Sequence, residues 1–117
     1  MTKLEPRKID WTIPPKRLKY AREVYGFSKE SVADFLGVTV KEIEEYESTG
    51  KGLNSVNFDK LCTLYDNSYE YFLGWSDEFY KSKWRGDITK DLYAVYKINQ
   101  IRWNLELLRK LEKEVIE

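Results

Sequence analysis

A chain of 117 residues, 42% hydrophobic and 34% charged, is long enough for one domain with a core of its own. Its 20 Lys and Arg balance 20 Asp and Glu, so no net field draws the whole chain to a polyanion. With no histidine and a single cysteine, Cys62, neither a zinc site of ordinary ligands nor a nucleophile paired with an imidazole can be built, and no catalytic site, metal or cofactor is expected.

Residues 1–15 read as a proline-containing basic arm. Pro14 and Pro15 keep a helix from running straight through from Trp11. Lys3, Arg7 and Lys8 are placed to follow phosphates; alternatively the arm is solvated and held to the body by Trp11 and Ile13. A first helix is expected from Pro15 or Lys16 to about Tyr25, with Leu18, Ala21, Val24 and Tyr25 on its apolar side and Lys16, Arg17, Lys19 and Arg22 elsewhere. Gly26 ends it. Charge is segregated along the chain: residues 1–27 carry seven Lys and Arg against three acids, whereas residues 28–50 carry two against six.

The stretch Phe27–Glu47 reads as two short helices and one tight turn. Ser28 is an N-cap, and Val32, Ala33, Phe35 and Leu36 make an apolar face at helical spacing. Gly37 is suited to the left-handed stop, and Thr39 caps a second helix that turns Ile43 and Tyr46 inward. That succession is the sequence pattern of a helix-turn-helix.

Arg17, Leu18, Ala21, Arg22, Phe27, Ser28, Ala33, Leu36, Gly37, Val38, Thr39, Ile43, Glu47 and Gly50 together resemble the XRE-type helix-turn-helix proteins, the Cro class of repressors. The likeness covers about half of the chain. It implies an all-α fold: a five-helix, lambda-repressor-like domain over residues 16–74 that binds double-stranded DNA. By the family's register Lys29 meets backbone phosphate, and Thr39, Val40, Lys41, Glu44 and Glu45 face the DNA from the recognition helix. Chemically, Val40 suits a thymine methyl, Lys41 a guanine O6 or N7, and Glu45 a cytosine amino group. The resemblance also implies that Arg17 is structural and bridges to Glu47. Against DNA reading stand the four carboxylates of Glu42, Glu44, Glu45 and Glu47 on one short helix, each of which repels phosphate. A helix retained as scaffold, its acidic face turned to solvent or to a basic partner, is the competing reading.

Residues 48–54 form a polar loop with two glycines, in which Lys51 and Asn54 are placed to hold a phosphate or simply to make a surface turn. Ser55 is expected to cap a fourth helix, with Val56, Phe58, Leu61, Cys62, Leu64 and Tyr65 as its apolar stripe. Cys62 among leucines reads as an inert core thiol. Asn67 and Ser68 open a fifth helix whose Tyr69, Tyr71, Phe72 and Leu73 close the core before Gly74.

Residues 75–86 are an aromatic connector in which Phe79, Tyr80 and Trp84 alternate with Lys81, Lys83 and Arg85, expected to pack under the following helix. Residues 87–117 are expected to be a long C-terminal dimerisation helix capped by Asp87 or Thr89. Ala94, Ile98, Ile101, Leu105 and Leu108 recur at steps of three and four, widened by Leu92, Val95, Trp103, Leu107 and Leu111. One flank of so wide a stripe covers the body and the other meets a second subunit. This segment also looks like the tails of XRE-type regulators encoded beside zinc metallopeptidases of the ImmA/IrrE kind.

With no run long enough to span a bilayer and no apolar leader at Met1, a cytoplasmic protein is expected. The leading expectation is a homodimeric, sequence-specific transcriptional regulator. The second is an antitoxin-like or adaptor module that keeps the fold and holds a protein partner; an enzyme comes last.

Overall fold

In the computed structural model, which describes residues 8–80 and 91–116, every regular element is a helix. The first, α1 (Ile13–Tyr25), starts slightly earlier than its sequence suggests. Pro14 and Pro15 lie in its first turn, where the missing N–H groups would have had no partner in any case. Trp11 does not anchor the arm, as it is 67% exposed; Ile13 does, seated against Gly74. A Cβ on Gly74 would lie 2.7 Å from Ile13 Cδ1, so only glycine fits at that contact.

α2 (Lys29–Leu36) and α3 (Val40–Ser48) flank a tight turn at Gly37, whose φ of 73° is left-handed. The Ser28 hydroxyl accepts from the Ser31 amide, and Thr39 and Glu42 form a reciprocal capping box at the start of α3. α4 (Ser55–Tyr65) is capped by Asn54, not by the expected Ser55: Asn54 Oδ1 accepts from the Asn57 amide at 2.8 Å. α5 (Tyr69–Phe72) is a single turn capped by Ser68, and α6 (Leu92–Ile116) is the longest helix. The Ala94 amide donates to Asp91 Oδ1, so Asp91 caps α6; the expected caps Asp87 and Thr89 lie outside the described residues.

Leu18, Phe27, Val32, Ile43, Tyr46, Leu61, Leu64, Tyr65 and Phe72 form the shared core. Leu92 and Val95 of α6 belong to the same cluster, so one flank of the last helix covers the body over its first turns. In the described part of the connector, Phe79 packs on Tyr20, Tyr25 and Tyr71, rings of α1 and α5, instead of under α6, whereas Tyr80 borders a cleft shared with Trp103 of α6. Trp84 and the basic residues Lys81, Lys83 and Arg85 lie outside the described residues.

Two arginines on α1 exchange the roles expected of them. Arg22, not Arg17, pairs with Glu47: Nε and Nη2 donate to its carboxylate at 2.7 and 3.0 Å, with both side chains less than a tenth exposed. The Glu47 carboxylate raises the Arg22 pKa, outweighing the burial that lowers it. Arg17 instead points to the other end of the bundle. Its Nη1 donates to the carbonyls of Tyr71 and Ser76 at 2.5 Å, Nη2 pairs with Asp77, and the guanidinium lies 4.5 Å from the centre of the Tyr71 ring.

Beyond Tyr96, whose ring packs on that of Phe35, α6 is docked by polar groups. Asn99, fully buried, donates to the carbonyls of Thr63 and Leu64 at the end of α4, while its Oδ1 has no hydrogen-bond partner. One turn on, Trp103 Nε1 donates to Asp66 Oδ1 at 2.8 Å and Arg102 pairs with the same carboxylate. From residue 104 to 114 every residue is exposed. None of the described helices is long and apolar enough to cross a membrane.

Removing one partner of a buried pair strands the other charge, which costs about 3–5 kcal/mol, whereas an exposed pair is worth about 0–1. Arg22→Ala is therefore expected to lower the unfolding free energy by several kcal/mol. Lys29→Ala, which breaks only the exposed pair with Glu44, should leave it nearly unchanged. Urea unfolding of both variants, read by circular dichroism, checks the contrast.

Candidate nucleic-acid interface

α3 is held from behind. Ile43 and Tyr46 are buried, the Tyr46 hydroxyl accepts from Asn57 Nδ2 at 3.2 Å, and Glu47 is locked to Arg22. These three residues, one face of a helix, leave Lys41 and Glu44 exposed and Glu45 half-buried on the opposite side. Val40 turns partly back onto the core, so little of its side chain remains for a base methyl. The Thr39 hydroxyl is engaged as acceptor by the Glu42 amide, which leaves its proton as the one group it can offer outward.

Lys29, Lys41, Glu44 and Glu45 come together around a shallow cleft of about 430 Å³. Lys19, from α1, joins them, and the sequence reading had not assigned it. Its only signal there was a basic side chain on the outer surface of the first helix. Inside this cluster Lys29 Nζ lies 3.2 Å from Glu44 Oε2, an ion pair with both ends open to water. The face is thus neither a basic stripe nor an acidic one, but an alternation of three lysines with carboxylates.

Lys51 and Asn54 fall elsewhere. They border a separate groove of about 470 Å³ whose walls are Trp11, Pro15, Phe58 and Leu73. The Asn54 side chain is spent on capping α4, and the loop amides are largely committed: Thr49 and Gly50 donate to the Glu45 carbonyl, Lys51 to the Thr49 hydroxyl and Leu53 to the Gly50 carbonyl. A phosphate nest is therefore not preformed at 49–53, and Lys51 is left as an exposed point charge beside the groove.

Along α6, Leu92, Val95 and Asn99 face the body, while Ile98, Ile101, Leu105 and Leu108 are 41–57% exposed, together with Leu107 and Leu111. The flank expected to meet a second subunit is the flank left uncovered. No cluster of His, Cys, Asp and Glu among the described residues can hold a metal ion, and burial pushes the Cys62 thiol up, far from a reactive thiolate. The chain matches no family model, no curated protein and no solved structure.

These positions divide into residues that hold the face and residues that present it. Thr39→Ala and Asn54→Ala should each cost about 1 kcal/mol of stability through a lost N-cap. Lys41→Ala and Lys51→Ala should stay within about 0.5 kcal/mol, as surface changes do. Thermal and urea unfolding of the four single variants tests the division.

Proposed function

We propose that the chain is a dimeric, sequence-specific DNA-binding transcriptional regulator of XRE type, with α2 and α3 as its helix-turn-helix and α3 as the recognition helix. The observation that carries this reading is the way α3 is mounted: its rear is fixed by Ile43, Tyr46 and the Arg22–Glu47 pair, and its free side presents Lys41 and Glu44 next to Lys29 and Lys19. Lys29 and Lys19 supply phosphate contacts that set register, and Lys41 and Glu45 address base edges.

The carboxylates on this face do not forbid the role. The pair between Lys29 and Glu44 is exposed at both ends, so exchanging the carboxylate for a phosphate gives up at most about 1 kcal/mol. Their effect is on affinity. Contacts to phosphate are offset by nearby negative charge, so non-specific binding is weak and discrimination rests on base contacts. A single domain of this size contacts few bases, and pairing two recognition helices through the uncovered flank of α6 supplies the rest.

A second reading is favoured by a specific observation, the bare leucine-rich end of α6. A protein-interaction module, antitoxin-like or adaptor, would use that surface and the carboxylates of α3 to hold a partner chain. Salt-titrated binding to DNA from the protein's own promoter separates the two. Specific binding with a steep salt slope supports the regulator, and flat, negligible binding supports the adaptor.

Lys41→Ala should change base preference and cost about 1–3 kcal/mol at its own position, whereas Lys29→Ala should weaken binding to all sequences alike. Equal losses on every sequence for both would remove Lys41 from base readout. The dimer has its own test: light scattering at micromolar concentration should give twice the monomer mass, and Leu108→Asp should halve it. A monodisperse monomer for the unmutated chain would rule out pairing through α6.

A further inference from the structure

The end of α4, the turn of α5, the connector and α6 border an open cleft of about 660 Å³ that shares no lining residue with the cluster at α3. That is within the volume range of small-ligand sites. Three aromatic side chains line it: Tyr69 from α5, Tyr80 from the connector and Trp103 from α6. Asp66 lies at its base, buried and held by Trp103 and Arg102. Glu70, Glu78 and Glu106 stand at the rim, exposed, and none is in an ion pair among the described residues. Among the described lining residues the carboxylates of Asp66, Glu70, Glu78 and Glu106 stand against the one guanidinium of Arg102, whose charge both Asp66 and Glu106 meet, so the balance of the described lining is negative.

The position of Tyr80 is an independent observation. Its side chain is 53% exposed, yet its backbone is fastened at both polar atoms. The Tyr80 amide donates to Asn67 Oδ1 at 2.8 Å, and its carbonyl accepts from Asn67 Nδ2 at 3.0 Å and from the Tyr25 hydroxyl at 3.1 Å. Asn67 itself is buried. A buried amide thus positions an exposed ring at the mouth of a cleft, the preorganisation that lowers the cost of binding. On the facing wall, a hydrogen bond to Asp59 pushes the Tyr69 pKa up to about 12, so that ring stays a neutral phenol.

We propose that this cleft binds an organic cation, a guanidinium or alkylammonium group, laid against the faces of Tyr80 and Trp103 and neutralised by Glu70 and Glu106. Aromatic faces attract such cations, desolvated ones most strongly, and a negative rim raises their local concentration. A neutral or anionic ligand would gain nothing from the carboxylates of this lining. The site is independent of the DNA face, and it reaches α6 directly, since Trp103 both lines the cleft and donates to Asp66. The same chemistry reaches the cleft from two sources, a free small cation or an arginine side chain carried by a protein.

Calorimetric titration of the full chain with agmatine and with a capped Gly-Arg-Gly tripeptide tests the site. At least one probe should bind saturably with Kd below about 1 mM. Glu70→Gln with Glu106→Gln should weaken it about tenfold, and Tyr80→Leu, which keeps the fastened backbone and apolar bulk but removes the ring, a few-fold. Lys41→Ala should leave it unchanged, which separates this site from the DNA-facing surface. Tighter binding of agmatine points to a free cation and of the tripeptide to a protein side chain. No saturable heat for either probe up to about 10 mM, or affinities unaltered in the carboxylate and Tyr80 variants, would overturn the proposal.

Discussion

Everything about the placement of α3 depends on one buried guanidinium. Arg22 spends Nε and Nη2 on Glu47 and Nη1 on the carbonyl of Phe27, so a single side chain ties α1 to the entry of α2 and to the last turn of α3. Charges taken this far from water are tolerable only while paired and hydrogen-bonded, which makes the arrangement all-or-none. The apolar residues around it, Leu18, Phe27, Ile43 and Tyr46, set how close the helices come. They would accept small rotations of α3 that the bidentate pair does not. Orientation of the candidate reading surface is therefore an electrostatic property, and its proximity to the body an apolar one.

Much of this architecture is legible in the sequence because it rests on local chemistry. Gly26, Gly37, Ser28, Thr39 and Ser68 act where they stand, each stopping or capping a helix through its own backbone. What escaped reading depends on partners distant in the chain. Arg17 and Arg22 sit five residues apart on one helix, about 140° around its axis, and only the packing of α3 decides which of them meets Glu47. Asn54 and Ser55 are adjacent and equally good caps, so the choice between them turns on the path of the loop before them. Asn99 is invisible for another reason: a lone polar residue in an apolar stripe reads as solvent-facing until the carbonyls at the end of α4 are placed beside it.

The candidate site shows the same division. Lys29, Lys41, Glu44 and Glu45 were expected on one face, and a helix periodicity with a single turn is enough to put them there. Lys51 and Asn54 were grouped with them by nearness in sequence, and the loop carries them round to the groove beside Trp11. A net charge of zero conceals such differences between surfaces, since it does not distinguish the mixed cluster at α3 from the mainly acidic described lining of the second cleft. Overall balance here records how charges are distributed over separate surfaces, not an absence of fields.

The manner in which α6 leaves the body has a geometric consequence. Its docked half is fastened by directional bonds from Asn99, Arg102 and Trp103, spaced over about one turn, and a slide of one residue along α4 would break all of them together. Helices packed only through leucines can ratchet; this one is keyed. The portion after residue 103 extends about 20 Å as a continuous helix beyond the last of these bonds. α6 is thus held at one end and free of the described body at the other. The position of its tip is set by the same bonds that key the docked half to the end of α4.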